Sequence, residues 1–463
     1  MLELARQQDV FIRTTFQRRL GFRETEQRRL AMQDGTVGIL PAAQLTSEEA
    51  RQLQYENLED LVGRTPLLGL IAPHGSLILA KLESQNPTES HYDRVYVTML
   101  RELERRKVIN PGDDLYEVTS GSAGISFAWA CSRLGYKAHI FVPKGTPIGR
   151  NQEMINFGAD LIEAESENVP GASLAERLQF IRIARSRGLQ PVQYIPNDGM
   201  FHSWMAPSEE GPGMFMVNHS ENHFTHHTVE EVGREVAAIV PAYMSIDYFV
   251  SILGNGTNTR GISDGLRRRF KNHKIIGVED VGNPVQFEKK YPGRFEEIYG
   301  HAPVYERQQM LGSSQRGLNV SFIDGNAIED IQLVSPEEWQ AQLNAYNARE
   351  GKYTLHAETI GRTTAASLVV AKRLDEEHPG SVILMVFYDK GDRYDELRKA
   401  PAGHEITFAT SPTAEGSVTQ PPYWLQWPAA SFDDLPADLY TAYQGREIVE
   451  IFNRRRTAYR KVA

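Results

Sequence analysis

Five short apolar runs, each followed within a few residues by glycine, proline or asparagine, constrain the fold more than anything else in the chain: Ser76 to Leu82, Ala138 to Val142, Tyr248 to Leu253, Lys274 to Val278 and Ser381 to Phe387. Near-continuous apolar character over so few residues is what a strand buried on both faces requires, and such strands pair in parallel beneath helices. From Leu58 onward the runs alternate with segments of helical period. That is the pattern of stacked βαβ units, so an α/β fold with parallel sheets is expected. In open α/β sheets ligands bind outside the carboxyl ends of the strands, which directs the search for chemistry to the loops after these runs.

A chain of 463 residues with 41% hydrophobic and 24% charged residues has the makings of two lobes with large cores. Its net charge of -10 and pI near 5.8 give no overall attraction to phosphate backbones or anionic lipid, so neither nucleic acid nor membrane is expected as a partner. The one cysteine, Cys131, permits no disulfide within the chain and fits a reducing compartment. The first residues lack the apolar core of a signal peptide, and no later run is long enough to cross a bilayer, so a cytoplasmic location is expected. Residues 1 to 57 are polar and rich in Arg, Gln and Glu, with two charged amphipathic stretches around Asp34-Gly35 and Pro41, and read as a helical extension. Residues 401 to 463 read as an arm rich in Thr, Ser, Pro and Ala leading to a last helix, whose basic stretch Arg454 to Lys461 is a solvated face.

Motifs in fixed order fill residues 58 to 400, the expected main domain, with a smaller lobe at about 95 to 235. Gly63-Arg64-Thr65-Pro66-Leu67 is followed by Lys81-Leu82-Glu83-Ser84-Gln85-Asn86-Pro87-Thr88-Glu89-Ser90-His91-Tyr92-Asp93-Arg94, and then by Thr119-Ser120-Gly121-Ser122-Ala123-Gly124. Val142-Pro143, Phe157-Gly158-Ala159-Asp160, the loop Gly254-Asn255-Gly256-Thr257-Asn258, Gly277-Val278-Glu279 and Tyr388-Asp389-Lys390-Gly391-Asp392-Arg393-Tyr394 complete the series. Together they resemble the cysteine synthase and cystathionine β-synthase family of fold-type-II pyridoxal-phosphate (PLP) enzymes, with its G-x-T-P-L, N-P-T-x-S-x-K-D-R, T-S-G-N-T-G and G-T-G-G-T segments. The resemblance implies a two-lobed architecture of open parallel sheets with helices on both faces, and a homodimer. It implies PLP as cofactor, and β-elimination or β-replacement on a small amino acid. It also implies that Thr119 to Gly124 hold the substrate carboxylate at a helix N-terminus, and that Gly254 to Asn258 hold the cofactor phosphate. Standing alone, the second loop would read as a tight connection.

The departures from the family pattern fall on the residues that carry its chemistry. Tyr92 stands where the family keeps the lysine that forms an imine with PLP, and a phenol forms no imine. Tyr92, flanked by Ser90 and His91, is left as a general acid or base with an ordinary pKa near 10. Lys144 and Lys390 are candidates for an amine from elsewhere, although neither is at a position the family uses. Ser122 is shorter than the asparagine that bonds the cofactor's ring hydroxyl. Asp389 or Lys390, according to a one-residue choice of alignment, replaces the small hydroxyl residue facing the pyridine nitrogen; Asp would favour pyridinium and Lys would oppose it. The phosphate loop has Thr257 for a glycine and ends in Asn258. Changes spread over several contacts point to a natural divergent member rather than a knockout at one position.

A second constellation is His219-Ser220-Glu221-Asn222-His223-Phe224-Thr225-His226-His227, in which helical spacing would bring imidazoles to one face as a metal site needs, although no established ligand pattern is present. Glu358 falls where the family has a loop over the cofactor ring. Three functions follow as expectations: an atypical PLP-family enzyme binding PLP non-covalently or through another lysine, a non-catalytic relative that binds a metabolite or partner, and a metal-dependent enzyme using the histidines.

Overall fold

The computed structural model describes residues 32–33, 36–37, 58–119, 121–142, 148–164, 174–241, 243–303, 327–347, 360–391 and 441–443 of the chain. All five apolar runs form strands, and they fall into two sheets. The larger sheet contains β1 (Leu67–Ile71), β2 (Leu77–Leu82), β9 (Tyr248–Ile252), β10 (Lys274–Asp280), β11 (Ile328–Val334), β12 (Val382–Phe387) and β13 (Thr441–Tyr443) in the order β11-β10-β9-β12-β2-β1-β13. The smaller contains β3 (Asp114–Val118), β4 (Lys137–Val142), β5 (Asp160–Glu163), β6 (Val192–Tyr194), β7 (Ser203–Ala206) and β8 (Met214–Met216) in the order β5-β4-β3-β8-β7-β6.

The strands read from sequence as doubly buried lie in parallel register: β12 pairs β2 and β9, β9 pairs β10, and β3 pairs β4. Both sheets are mixed rather than wholly parallel, because β1 and β13 add antiparallel edges to one and β7 and β6 to the other. The short outer strands β6 and β7 mix polar with apolar residues, as strands with one apolar face do, and gave no continuous run. In the amino-terminal extension, expected to be helical, Met32–Gln33 pairs antiparallel with Thr36–Val37. An Asp-Gly pair between short segments is a hairpin signal, and here it overrides the charged pattern. The rest of that extension and most of the carboxy-terminal arm lie outside the described residues.

Four helices position the crevice between the sheets: α1 (Tyr92–Arg105), α2 (Ser122–Leu134), α3 (His223–Ile239) and α4 (Thr257–Arg267). Each of α1, α2 and α4 starts just beyond the carboxyl end of a strand, β2, β3 and β9 respectively. α1 buries Val95, Tyr96, Met99, Leu100 and Leu103, and α2 buries Phe127, Trp129 and Cys131. Each large apolar side chain so buried contributes about 1.5–3 kcal/mol, which anchors the two helices that open at the crevice. α3 and α4 cross at glycines: a Cβ on Gly265 would lie 2.1 Å from the Glu230 carbonyl oxygen, and one on Gly233 2.2 Å from that of Ile262. Among the described residues no helix is long and apolar enough to cross a membrane.

Candidate active site

One buried ion cluster joins four separated motifs beneath the crevice. Arg94, in the first turn of α1, reaches Glu83 through Nε at 2.7 Å and Nη2 at 2.8 Å, and Glu235 of α3 through Nη1 at 2.6 Å and Nη2 at 2.8 Å. Its planar fork gives each of the two carboxylates a pair of hydrogen bonds. Lys81 donates to Glu235 Oε2 and to the Thr65 carbonyl, both at 2.6 Å. The Gly63 and Arg64 amides donate to Asn86 Oδ1 at 2.8 Å and Glu235 Oε1 at 2.7 Å. Gly63 has φ +77°, and a Cβ there would lie 2.5 Å from Arg94 Nη1, so the guanidinium needs glycine at this position. Burial alone would raise the Glu83 carboxyl, but Arg94 and Lys81 hold it well below the usual range. Burial, which no charge fully offsets, lowers the Lys81 amine.

This scaffold fixes the turn from Thr88 to Tyr92. The Asp93 carboxylate accepts from the Thr88 amide at 2.6 Å and from its hydroxyl. Ser90 bridges to Asp389 in a β-type pair, and the His91 amide donates to the Tyr388 carbonyl at 3.3 Å. Tyr92 is the first residue of α1, with its ring 4.0 Å from that of His91 and 5.4 Å from that of His219, edge to face with the latter. Burial first, then the carboxylates of Asp389 and Glu117, push the Tyr92 phenol up to about 12. It therefore keeps its proton at neutral pH, where it is a donor and a poor base. His91 is lowered to about 4, chiefly by burial, and is neutral. Its Nε2 lies 3.0 Å from Asn258 Nδ2 and accepts from that amide.

Two helix N-termini meet around this pair. At the start of α2, Ser122 Oγ donates to Asp389 Oδ2 at 2.9 Å, while the Gly121 amide takes Thr119 Oγ1 at 3.3 Å. Among the described residues no side chain caps this helix and nothing lies within 4 Å of where a Gly121 Cβ would be. Gly124 instead packs tightly, since a Cβ there would meet Met154 Cε at 2.7 Å, and Ala123 is buried beside it. Ser120 lies outside the described residues, as do Lys144 and Glu358. At the start of α4, Gly254 leads into Asn255, whose Oδ1 accepts from the Thr257 amide at 3.1 Å and whose Nδ2 donates to the Ser220 carbonyl at 2.8 Å. Gly256 adopts φ +88° to start the helix. Thr257 Oγ1 is buried without a hydrogen-bond partner among the described residues.

The two candidate residues of the last motif point in different directions. Asp389 faces Ser122 and Tyr92, whereas Lys390 turns away to Glu89 Oε1 at 2.6 Å. Of the histidines read as a possible metal face, His226 and His227 both pair with Glu230 Oε1, at 3.6 and 3.0 Å, and His226 also with Asp264 at 3.2 Å, while His223 is exposed and His219 turns to Tyr96 and Glu117. Among the described residues no group of three or more His, Cys, Asp or Glu side chains is placed to hold a metal. His219 precedes the helix that carries the other three.

The residues present fit PLP at one end only. The start of α4, with an orphaned buried hydroxyl on Thr257 and its Thr257 amide taken by Asn255, suits a phosphate at that hydroxyl and the following amides. Among the described residues the imine end does not fit: Tyr92 has no amine, Lys81 is enclosed by the ion cluster, and Lys390 is bound to Glu89. Sequence reading missed Glu117 and Tyr96 altogether. Glu117 is fully buried on β3 and accepts from the Val118 amide at 2.8 Å, the His219 amide at 3.1 Å and the Tyr96 hydroxyl at 3.1 Å, with His219 Nδ1 also at 3.1 Å. A glutamate within a strand two residues before the Thr119 loop was the available signal.

A family model described as pyridoxal-phosphate dependent enzyme matches residues 58–389. The chain belongs to that family. Cysteine synthase B of Salmonella typhimurium is 27% identical over 345 residues, covering 73% of this chain and 93% of the relative. Cysteine synthase B of Pseudomonas syringae pv. syringae is 38% identical over 151 residues, 32% of this chain and 87% of the relative. Among solved structures, the O-acetylserine dependent cystathionine β-synthase of Helicobacter pylori aligns with TM-score 0.55 at 21% identity, covering 73% of this chain and 96% of that one. A lysine-to-alanine mutant of O-ureido-L-serine synthase bound to O-ureido-L-serine aligns with TM-score 0.57 at 20% identity, covering 73% and 91%. These solved structures share the fold-type-II architecture, two lobes of largely parallel sheet with helices on both faces.

Proposed function

We propose that this member of the family binds PLP, or a PLP-bearing ligand, without a covalent link to the protein, and acts on a small amino acid by β-elimination or β-replacement chemistry. The observation that carries the proposal is Tyr92 at the opening of α1, with Lys81 and Lys390 both committed to carboxylates. In this reading Gly254, Asn255, Gly256, Thr257 and Asn258 hold the phosphate, with Thr257 Oγ1 as an extra donor. Thr119 to Gly124 hold the amino-acid carboxylate at the start of α2, and Asp389 is the acidic group facing the ring nitrogen. PLP supplies an electron sink when bound. Tyr92 keeps its proton and offers a hydrogen bond, and His91 stays neutral and ties the phosphate loop to the opening of α1. The solved O-ureido-L-serine complex of a lysine-to-alanine mutant supports the view that this fold can hold an amino acid after losing a lysine.

Titration with PLP followed by absorbance, then borohydride reduction and intact mass, tests this reading. Saturable binding with no reduced adduct is expected. A stoichiometric adduct mapped to any lysine would overturn it. A binding-only role is the second reading, favoured by the high phenol pKa of Tyr92; absence of turnover with O-acetylserine and sulfide, despite PLP binding, would select it. The proposal includes a homodimer, measured by light scattering on the eluting protein, and a cytoplasmic location.

A further inference from the structure

We infer that His219, held by Glu117 and Tyr96, is the proton-accepting group of this site and takes over the base function that the missing amine would have served. The inference rests on the non-covalent reading above and deepens it.

The geometry selects one tautomer. Glu117 already accepts two backbone amides and the Tyr96 hydroxyl, and so many donors suit a carboxylate, which can only accept. That carboxylate lies 3.1 Å from His219 Nδ1, and the Tyr96 oxygen lies 3.0 Å from the same atom. A lone pair on Nδ1 would face the carboxylate at contact distance, so Nδ1 carries the hydrogen and Nε2 is bare. No described residue bonds Nε2. The His219 ring is set edge to face against Tyr92 at 5.4 Å, and the loop carrying it is tied to the phosphate cup through the Ser220 carbonyl and Asn255. His219 thus stands between the cup, Tyr92 and the strand that leads into the Thr119 loop.

The other two side chains at this point are unsuited to the task. Tyr92 keeps its proton, and His91 spends Nε2 on the Asn258 amide. The step is a simple proton transfer. The substrate's bond to hydrogen breaks with its electron pair remaining on the substrate, and a bond from Nε2 to hydrogen forms. The charge gained by the ring is met by Glu117 through Nδ1–H, and the proton later returns from Nε2. Glu117 and Tyr96 are positioning residues, because they act through the imidazole.

The test uses the full chain, unliganded, labelled with 15N-histidine, and reads the tautomer of His219 from its ring nitrogen shifts. A protonated Nδ1 and bare Nε2 are expected in the wild type, with loss of that signature in Glu117→Gln. Because Glu117→Gln may not fold, carbethoxylation of the wild type by diethyl pyrocarbonate is mapped in parallel, with and without PLP, while binding is followed by absorbance. Modification of His219 that is lost when PLP is bound supports the inference. An Nε2–H tautomer in the wild type, or modification undiminished while PLP is bound, overturns it. If PLP does not bind, the proposed function fails and the inference, which rests on it, falls with it; PLP binding together with an Nε2–H tautomer sinks the inference alone.

Discussion

Tyr92 shows how a single side chain sets limits that its neighbours then enforce. Its phenol sits in the field of Asp389 and Glu117, both of which oppose ionisation. An amine at the same place would be buried as Lys81 is, where burial outweighs two neighbouring carboxylates, and it would meet a site whose other cofactor contacts, at Ser122, Thr257 and Asp389, also depart from the family pattern. Tyr92→Lys is therefore expected not to restore full family activity; cysteine synthase turnover at the level of the Salmonella relative from that one substitution would show the argument wrong. Thr257 offers the complementary case. Its hydroxyl is buried with no partner among the described residues, so Thr257→Val should leave the midpoint of urea unfolding nearly unchanged or slightly raised. The same change should weaken binding of PLP by about 1–2 kcal/mol, if the hydroxyl bonds a phosphate oxygen. Equal affinity of the two proteins by equilibrium dialysis would remove Thr257 from the phosphate site.

At the level of elements, the phosphate loop is held where it is by the crossing of α3 and α4 more than by its own sequence. The crossing brings backbones together at Gly233, Gly261 and Gly265, and α3 also carries Glu235 into the ion cluster while α4 opens at the loop. Gly265→Ala would drive a methyl into the Glu230 carbonyl, forcing the helices apart. A loss of about 1–3 kcal/mol is expected from overpacking, read by urea denaturation, together with weaker PLP binding because the start of α4 moves with its helix. Unchanged stability would mean that the two helices pack less closely than described. The glycines were visible in the sequence, but their partners were not, because each needs a backbone from another helix to give it meaning.

Across the whole molecule, the ion cluster ties the segments before β1, after β2, in α1 and in α3 into one unit. Glu83 and Glu235 both have carboxyl pKa values below the ordinary 4.5 in the folded protein, with Arg94 and Lys81 overcoming the cost of burial. Below about pH 4.5 the unfolded chain takes up protons that the folded chain refuses, so this part of the stability is fully present above that pH and is lost as pH falls toward the folded values. Unfolding midpoints measured from pH 7 down to 3 should drop steeply in the wild type. Arg94→Met leaves two buried carboxylates without their cation and should cost about 3–5 kcal/mol at pH 7, with the acid dependence reduced. A midpoint at pH 7 close to that of the wild type would show that the cluster is better solvated than its burial implies.

The sequence by itself determined the strands that are apolar on both faces, the order of the motifs and the absence of an imine-forming lysine at position 92. These are properties of local composition and of one side chain's chemistry, so no partner has to be known to read them. Only the tertiary structure decided that Asp389 rather than Lys390 enters the site, that His219 parts from the histidines of α3, and that Glu117 and Tyr96 turn His219 toward Tyr92. Those outcomes depend on contacts between different elements, from His226 with Asp264 to Lys390 with Glu89, where side-chain direction is fixed by packing and not by spacing along the sequence.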